Sequence, residues 1–530
     1  MSFKEIAPGF HVSGQLQPAD LDAAARQGIR SVICNRPDGE EAGQPTAALM
    51  AEKAHEAGLG FAHVPVAIGG PTAADAARMA EALDALPGPV LAYCRSGARS
   101  SKAWEMAPRH HEPGSFTKVW DVVVVGGGSA GIATAASLLR RRHGLSVAVV
   151  EPADTHYYQP GWTMVGAGVF KPETTRRPMA SVMPHGTEWM QTAASGFSPD
   201  ENLVYLENGT CLAYRTLVVA PGITLDWDAI PGLAETLGRN GVTSNYRYDL
   251  APYTNRLVEE LTAGRALFTQ PPMPIKCAGA PQKAMYLSCD RWRDAGRLGN
   301  IDVQFHTAGA ALFGVAAYVP ALMDYVRRYD IHLNLQSRLV AVDGGGRTAT
   351  FERQDGDGTV RREELGFDML HAVPPQVAPE FIRTSPLAAA SGFVEVDEAT
   401  LQHPRYPSVF ALGDGCSASN AKTAAAVRKQ APVVAENVLS VLAGKEPVAV
   451  YDGYGSCPLT VERGKIVLAE FGYGGKLLPT FPNWMLDGTK ATRAAWFLKD
   501  RVLPPFYWNG MLKGYEWMVK PAHKGDRPAA

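Results

Sequence analysis

Hydrophobic residues fall in short apolar runs that alternate with helical patterns along most of this chain. Val122–Val125 form an apolar run suited to a buried strand, and Ile132–Arg142 carry a helix pattern after it. The first hundred residues repeat the alternation, with strand-like runs at 31–35 and 89–93 and a helical pattern at 73–86. Strands that alternate with helices predict βαβ units, so we expect an α/β fold in both parts of the chain.

The turn between the first two elements at 122–142 has a spacing that suits a dinucleotide. Gly126, Gly128 and Gly131 form GxGxxG, and the next apolar run, Leu145–Val150, ends on Glu151. The glycines allow a tight turn and a close backbone approach, the helix N-terminus faces a pyrophosphate, and the acid binds ribose hydroxyls. Because strand, glycines, helix, strand and acid follow in order, a dinucleotide site is favoured over a chance glycine-rich loop.

Two later strand-like segments belong to the same predicted site. Tyr214–Gly222 ends in APG, with Gly222 in the turn, and Ser408–Asp414 ends in GD. This set of motifs resembles flavoproteins of the two-dinucleotide-binding-domain class, in which the aspartate, here Asp414, binds the ribityl chain. The resemblance implies FAD rather than NAD. Lys422 either stabilises reduced flavin or is a solvated lysine at a helix start.

A second candidate site lies near the N-terminus, where a strand runs directly into Cys94-Arg-Ser-Gly-Ala-Arg99. Loop amides and a helix dipole lower the pKa of such a cysteine, and Arg99 can fork onto an oxyanion. The loop resembles that of rhodanese-type sulfurtransferases and is one residue shorter than the tyrosine phosphatase loop. Together with VSGQL and CNRPDGEE, it is similar to the phosphatase-like sulfurtransferase domain fused to β-lactamase-fold persulfide dioxygenases.

The resemblance implies sulfur transfer at Cys94, and two alternatives stay open. They are residual phosphatase chemistry and a non-catalytic anion-binding or docking module. Asp38 and His63 are candidate acid/base or orienting groups, against the simpler interpretation of a surface acid and a hydrogen-bonded core histidine.

The middle of the chain lacks the second glycine-rich unit that NAD(P)H-dependent reductases of this class carry. Residues 266–288 read ALFTQPPMPIKCAGAPQKAMYLS, so a strand runs into prolines and Cys277. Without GxGxxG the backbone offers no evident cradle for a second pyrophosphate. We therefore expect electrons from a small substrate that meets a cysteine.

Residues 119–520 resemble sulfide:quinone oxidoreductases of bacteria and mitochondria. The likeness rests on the middle segment and on YYQPGWTMVGAG, GDGCSASNAKTAAAVRKQAP and YDGYGSCPLTVERGKIVLAEF. It implies a redox pair of Cys277 and Cys416, whose disulfide is attacked by sulfide to leave a persulfide on one cysteine and a thiolate on the other. Four cysteines are expected to be structural: Cys34, Cys211, Cys289 and Cys457.

The last segment, 492–520, interleaves aromatic residues with lysines and arginines in short pieces broken at Pro504-Pro505. This pattern suits helices in a membrane interface, and core packing is the alternative. No apolar run reaches about 18 residues, and the N-terminus lacks the pattern of a signal peptide. We expect peripheral membrane contact from the cytoplasmic side.

Length and charge indicate how many domains to expect and which partners are disfavoured. A chain of 530 residues is too long to fold around one hydrophobic core, so several domains are expected. Its net charge of −2 does not favour a nucleic-acid partner. We predict a sulfurtransferase domain at 1–107, a linker at 108–118, FAD-dependent tandem Rossmann-like domains at 119–490 and a membrane-interface region at 491–530. The expected partners are sulfide, a membrane quinone and a small thiol or sulfur-oxyanion acceptor, with no metal. The alternative function is a NADH:quinone reductase-like flavoprotein with a non-catalytic N-terminal docking module.

Overall fold

The computed structural model describes residues 3–7, 9–107, 118–354, 356 and 358–526. The chain forms two compact units, Met1–Thr117 and Lys118–Ala530. All but one residue of the predicted linker, 108–118, lies outside the described residues.

The first unit contains a five-stranded sheet with helices α1 to α4. Its strands are β1 (Lys4–Ala7), β2 (Phe10–Ser13), β3 (Ser31–Cys34), β4 (Gly60–His63) and β5 (Val90–Tyr93). Its helices are α1 (Asp20–Arg26), α2 (Ala47–Glu56), α3 (Ala73–Ala85) and α4 (Ala98–Met106). The sheet order is β1-β2-β5-β3-β4, and every pair except β1 with β2 is parallel. The central strand β5 therefore delivers Cys94 to the carboxyl edge of the sheet, where α4 begins.

The second unit is larger and contains several sheets. Its strands are β6 (Val119–Val125), β7 (Val147–Val150), β8 (Thr155–Tyr157), β9 (Arg176–Pro178), β10 (Thr187–Met190), β11 (Ala194–Ser198), β12 (Leu203–Leu206), β13 (Cys211–Val219), β14 (Thr224–Leu225), β15 (Val242–Thr243), β16 (Gly264–Gln270), β17 (Ile301–Thr307), β18 (His332–Asn334), β19 (Ser337–Asp343), β20 (Thr348–Gln354), β21 (Val360–Gly366), β22 (Met369–His371), β23 (Gln376–Val377), β24 (Val409–Ala411), β25 (Ala449–Val450), β26 (Gly455–Glu462), β27 (Lys465–Phe471), β28 (Ala491–Thr492) and β29 (Ala522–His523).

The α-helices of this unit are α5 (Ser129–Arg141), α6 (Trp162–Gly166), α7 (Met179–Val182), α8 (Leu233–Thr236), α9 (Ala251–Glu260), α10 (Ala280–Asp294), α11 (Val319–Arg328), α12 (Glu380–Arg383), α13 (Ala424–Leu442), α14 (Arg493–Phe497) and α15 (Leu503–Asn509). A π-helical turn, Leu498–Val502, joins α14 to α15.

Two Rossmann-like sheets organise the second unit. The first has the order β10-β7-β6-β13-β12-β11, with β24 paired to β13, and its strands β7, β6, β13 and β24 are parallel. The second has the order β15-β22-β16-β17-β18 and is parallel throughout. The predicted α/β class with tandem Rossmann-like domains is confirmed.

The two cores position the chemistry. In the first, the apolar runs of β6, β7 and β13 are buried between helices, as parallel strands covered on both faces require. In the second, α10 packs on β26, and Cys457, Leu459 and Val461 of that strand belong to the buried core. Within the described residues, no helix is long and apolar enough to cross a membrane.

Candidate active site

Two glycines of the GxGxxG turn, Gly126 and Gly131, are required by close backbone contacts. Gly126 has a φ of +104°, and a Cβ there would lie 2.2 Å from the carbonyl oxygen of Ala220. A Cβ on Gly131 would lie 1.8 Å from the carbonyl oxygen of Gly126. The side of Gly128 is open, with nothing within 4 Å of a Cβ, and the next residue begins α5. The backbone is thus held in a tight turn that leaves the helix N-terminus free for a pyrophosphate.

The other predicted cofactor residues line the same cavity of about 470 Å³. Glu151 Oε2 accepts a hydrogen bond of 2.7 Å from the Gly127 amide, so its carboxylate is fixed at the edge of the turn. Gly222, with a φ of +81°, follows β13, and Asp414 follows β24. Burial raises the pKa of Asp414, while the ammonium groups of Lys276 and Lys422 oppose the shift. The structure thus gathers Gly126, Gly128, Glu151, Gly222 and Asp414 around one cavity at the carboxyl ends of parallel strands.

Lys422 lines this cavity from the segment before α13, but its ammonium group is already engaged. It is buried, its Nζ donates a hydrogen bond of 2.8 Å to the carbonyl of Cys416, and it lies 4.5 Å from the centre of the Phe393 ring. The solvated alternative for Lys422 is therefore wrong. Stabilisation of reduced flavin stays a prediction.

The turn that carries Cys277 is tied to the same region. Cys277 has a φ of +49°, an uncommon conformation for a residue other than glycine. Its amide donates a hydrogen bond of 2.8 Å to the carbonyl of Lys422, and its carbonyl accepts one of 2.7 Å from the amide of Ala280 at the start of α10. The side chain of Cys277 also lines the cofactor cavity. Unusual backbone conformations persist where surrounding contacts enforce them, commonly at functional sites.

The sulfur atom beside Cys277 is that of Cys457, not the predicted partner Cys416. The Sγ atoms of Cys277 and Cys457 lie 3.8 Å apart, although the residues are 180 positions apart in the chain. Cys416 is buried, and its thiol donates a hydrogen bond of 3.3 Å to the carbonyl of Gly413. The predicted pairing is therefore corrected: β26 presents Cys457 to the turn before α10, and the Cys416 thiol is bonded within its own loop.

One sequence signal for this packing is Gly279, two residues after Cys277. A Cβ at position 279 would lie 2.4 Å from Cys457 Sγ and 2.5 Å from Leu459 Cδ2. The glycine in KCAGAPQK is therefore needed so that β26 can approach the turn. Sequence spacing could not reveal which of the distant cysteines faces it.

Two buried lysines set the charge around the pair. Lys283 Nζ lies 3.1 Å from Cys277 Sγ. The hydrogen bond from Cys457 and the charge of Lys283 hold the pKa of Cys277 well below its ordinary value, against burial. The pKa of Cys457 is raised well above its ordinary value by its bond to Cys277 and by burial. Burial alone would lower the pKa of Lys283, but the two sulfurs outweigh it and raise that pKa. Cys277 is thus the more acidic thiol of the pair, and Cys457 is the less acidic one.

The second lysine, Lys499, belongs to the π-helical turn and lines the cavity. Burial, followed by repulsion from Lys283, lowers the pKa of Lys499 to about 7. Neither Lys283 nor Lys499 was predicted as part of the cysteine site. Lys283 stands six residues after Cys277 in the segment 266–288, so its position near the thiol was a local signal. The position of Lys499 depends on tertiary folding.

The C-terminal segment combines buried and exposed aromatic residues. Tyr507 and Trp508 are buried in the first core, where the Tyr507 hydroxyl lies 2.7 Å from His156 Nε2. Phe497 and Trp517 are each 61% exposed. Core packing therefore holds for Tyr507 and Trp508, whereas membrane contact through the exposed residues stays a prediction.

This segment and the loop before β28 also line the cavity. Phe481, Phe506, Trp517 and Met518 line it, and within the loop Trp484 is 83% exposed. Polar groups lie beside these aromatic residues, since the Arg428 guanidinium is 5.3 Å from the centre of the Phe506 ring. The buried carboxylate of Glu470 accepts a hydrogen bond of 2.6 Å from the Tyr454 hydroxyl, and among the described residues Arg428 Nε has no hydrogen-bond partner.

The first unit presents Cys94 at the turn between β5 and α4. Gly97, with a φ of +89°, directs its amide at Cys94 Sγ, 3.1 Å away. Burial opposes ionisation of the Cys94 thiol, but hydrogen bonds from the Ser100 and Ser96 amides outweigh it and lower the pKa. The predicted anionic sulfur site is therefore supported by the loop geometry.

Arg99 was predicted to bind an oxyanion with two N–H groups of its guanidinium. In the structure, the carboxylate of Glu40 already accepts from those two groups. Arg99 Nη1 and Nη2 donate to the two oxygens of Glu40 at 2.7 and 2.8 Å. The two neighbouring candidates have structural partners. Asp38 Oδ1 accepts from the amide of Ala47 at the start of α2, and His63 Nε2 lies 3.1 Å from the carbonyl of Arg36.

Comparisons with known proteins define the class first. Residues 120–258 match the family described as pyridine nucleotide-disulphide oxidoreductase, and residues 2–109 match the phosphatase-like domain of beta-lactamase hydrolase-like proteins. The crystal structure of sulfide:quinone oxidoreductase from Aquifex aeolicus has the same fold, with a TM-score of 0.62, 20% identity, and coverage of 74% of this chain and 92% of that chain. The protein is thus a two-dinucleotide-domain flavoprotein, and its cofactor is FAD.

Two curated relatives identify the family. The mitochondrial sulfide:quinone oxidoreductase of Mus musculus is 39% identical over 396 residues, which is 75% of this chain and 87% of the relative. That of Dictyostelium discoideum is 38% identical over 440 residues, covering 82% and 93% respectively. The chain belongs to the sulfide:quinone oxidoreductase family, with an additional N-terminal domain of the beta-lactamase hydrolase-like type.

Proposed function

We propose that Cys277 and Cys457 are the redox pair that oxidises sulfide, in place of the predicted pair Cys277 and Cys416. The observation that carries this proposal is the 3.8 Å contact between the two sulfurs beside Lys283. A disulfide needs about 2.05 Å, so the sulfurs must approach by roughly 1.8 Å to close the bond.

The difference between the two thiols assigns their roles. A disulfide breaks toward the sulfur that makes the better thiolate, because a leaving thiol of lower pKa departs faster. Hydrosulfide therefore attacks Cys457 Sγ, the S–S bond breaks, Cys457 keeps the new sulfur as a persulfide, and Cys277 leaves as the thiolate. Lys283 stabilises that thiolate, and Cys277 lines the cofactor cavity.

An acceptor thiolate then takes the outer sulfur of the Cys457 persulfide and leaves a Cys457 thiolate. Return of Cys277 and Cys457 to the disulfide releases two electrons. Bound FAD supplies the chemistry that accepts this electron pair and passes it to a quinone. Its pyrophosphate would be held at Gly126 and Gly128, and its ribityl chain at Asp414.

The quinone is proposed to enter where aromatic residues line the cavity. Phe481, Phe506 and Trp517 give an apolar lining there, while Arg428 Nε, which has no hydrogen-bond partner among the described residues, offers a donor to a quinone oxygen. Exposed Trp484 and Phe497 are suited to the interface of a bilayer. We propose peripheral membrane contact through these residues, from the cytoplasmic side.

The first unit is proposed to act as the sulfur acceptor. The Cys94 thiolate attacks the outer sulfur of a persulfide, forms a Cys94 persulfide and releases the donor thiol. Because both units belong to one chain, the local concentration of donor and acceptor is raised, to about the millimolar range where the connection lets them meet. The amides around Cys94 favour both the thiolate and the persulfide anion.

Mass spectrometry of the anaerobic enzyme after limited sulfide tests these assignments. The added sulfur mass should appear first on the Cys457 peptide and then on the Cys94 peptide. Cys457→Ser and Cys277→Ser should lose sulfide-dependent quinone reduction while FAD stays bound, whereas Cys94→Ser should keep reduction of the flavin by sulfide. Sulfur on Cys416, or full activity of Cys457→Ser, would refute the pair. A Cys94 peptide that never gains sulfur would favour the docking-module alternative.

A further inference from the structure

The Cys94 turn is backed by a buried network of two arginines and one carboxylate. Arg99 donates to both oxygens of Glu40, and Arg36 Nε donates to Glu40 Oε2 at 2.5 Å. The side chains of Arg36, Glu40 and Arg99 are 3%, 9% and 12% exposed. Because the arginines reach one acid from two directions, Glu40 joins the segment after β3 to the first turn of α4.

These bonds leave the Arg99 guanidinium little freedom to rotate. Nη1 also donates to the carbonyl of Val66 at 2.7 Å, so three of its five N–H groups have acceptors in the protein. The hydrogen bond from Arg99, and then that from Arg36, lower the pKa of Glu40 to about 2 against the effect of burial. Glu40 is therefore an anion throughout the physiological range and acts as a fixed anchor for Arg99.

Arg99 is the second residue of α4, the helix that follows the Cys94 turn. The bond to Glu40 contributes most to the raised pKa of Arg99, and the charge of Cys94 and a hydrogen bond from its side chain add to it. On the same turn, hydrogen bonds from the Ser100 amide and then from the Ser100 hydroxyl lower the pKa of Cys94 against burial. The first turn of α4 thus places both Arg99 and Ser100 beside the sulfur.

We propose that Glu40 is a positioning residue that holds the Arg99 guanidinium against the Cys94 sulfur, so that a thiolate or persulfide anion forms there. This inference rests on the proposed function only in placing the reactive sulfur of the first unit at Cys94. Its test measures the ionisation of Cys94 directly, and so can fail or succeed whether or not sulfur reaches that residue from the flavin unit.

The test compares Glu40→Asp with Glu41→Asp in the full-length, FAD-loaded enzyme. Aspartate keeps the charge but is one methylene shorter, so a residue 40 carboxylate no longer spans both arginines. Glu41 is the matched control, because it is 56% exposed and hydrogen-bonds Arg36 but not Arg99. The rate of Cys94 carbamidomethylation by iodoacetamide is followed from pH 5 to 10 by peptide mass spectrometry. Thiolate absorbance at 240 nm gives the same pH midpoint independently of how well iodoacetamide reaches the thiol. For each variant, the absorbance of the same protein carrying Cys94→Ser is subtracted.

Glu40→Asp should raise the pH midpoint of Cys94 by about one unit, as loss of a nearby cation does, and slow alkylation at pH 7 by up to roughly tenfold. Glu41→Asp should leave both unchanged. The isosteric Glu40→Gln variant separates positioning from charge. Loss of a negative charge alone would lower the midpoint, whereas release of Arg99 raises it. Unchanged midpoints in both Glu40 variants, a fall in Glu40→Gln, or equal shifts at positions 40 and 41 would each overturn the inference.

Discussion

Replacement of Lys283 by methionine tests the electrostatics of the redox site directly. Its Nζ lies 3.1 Å from Cys277 Sγ, and the lysine is 2% exposed. Two unit charges at that distance interact by about 5 kcal/mol at an effective dielectric constant of about 20. Since one pKa unit corresponds to about 1.36 kcal/mol, this is an upper bound of roughly 4 units.

The observed shift should be smaller, because other groups also stabilise the Cys277 thiolate. The hydrogen bond from Cys457 remains in the variant. In addition, the pKa of Lys499 should rise once repulsion from Lys283 is removed, so that Lys499 carries more positive charge near the thiolate. We expect Lys283→Met to raise the pKa of Cys277 by about 2 units in the reduced enzyme. Reduction of FAD by sulfide should also become slower, because a leaving thiol of higher pKa departs more slowly.

The assay is the pH dependence of Cys277 alkylation, read from the mass of its peptide, together with stopped-flow reduction of the flavin by sulfide. Lys283→Arg keeps the charge and should fall between the wild type and Lys283→Met. Lys445→Met, at an exposed lysine after α13, controls for loss of a surface charge. If Lys283→Met binds FAD and titrates Cys277 at the wild-type pH, Lys283 does not set the ionisation of that thiol.

Three further predictions follow from single contacts. Cys416→Ser should keep most of the quinone reductase activity, since a serine hydroxyl can donate to Gly413 as the thiol does; inactivity with normal FAD content would place Cys416 in the chemistry. Lys499 has a pKa of about 7 when folded and about 10.4 when unfolded. The unfolded chain therefore binds more protons between these values, so stability rises with pH there. Lys499→Met should lose roughly 2 kcal/mol of that rise between pH 7 and 9 in urea unfolding followed by flavin fluorescence, and an unaltered rise would contradict the assigned pKa. Trp484→Ala should reduce liposome binding several-fold with little change in unfolding temperature, because the ring is 83% exposed; equal binding would exclude this loop from the interface.

The cofactor cradle could be predicted because its signals are local. The glycine turn, its strand and helix, and Glu151 lie within one βαβ unit, so their order alone specifies the geometry. The loops after β13 and β24 were also recognisable, since each ends a buried strand. The predicted α/β class and FAD are confirmed on this basis.

The cysteine pair could not be predicted in the same way, because strand packing decides it. Cys277 and Cys457 meet only when β26 lies on α10. Gly279 leaves room for that approach, but no residue near either cysteine specifies its partner. Cys416 was the plausible choice because it follows the flavin-binding turn closely in sequence. In the fold, its thiol bonds to Gly413 within that turn.

The C-terminal segment shows the same limit. Its composition mixes aromatic and basic residues, but only packing separates buried Tyr507 and Trp508 from exposed Phe497 and Trp517. Deletion from Trp496 onward would remove core contacts together with the exposed residues. Point substitutions at exposed positions are therefore the sharper test of membrane contact.

Two cysteines of the proposed cycle, Cys277 and Cys94, have lowered pKa values for different reasons. Lys283 contacts Cys277 directly with no carboxylate bound to it among the described residues, and the pKa of Cys277 falls far. At Cys94 the nearby cation, Arg99, is balanced by Glu40, and backbone amides supply much of the stabilisation. Nucleophilicity falls as thiol pKa falls, whereas leaving ability increases. A strongly stabilised Cys277 thiolate suits a sulfur that must depart from Cys457, and a more moderately stabilised Cys94 suits a sulfur that must attack a persulfide.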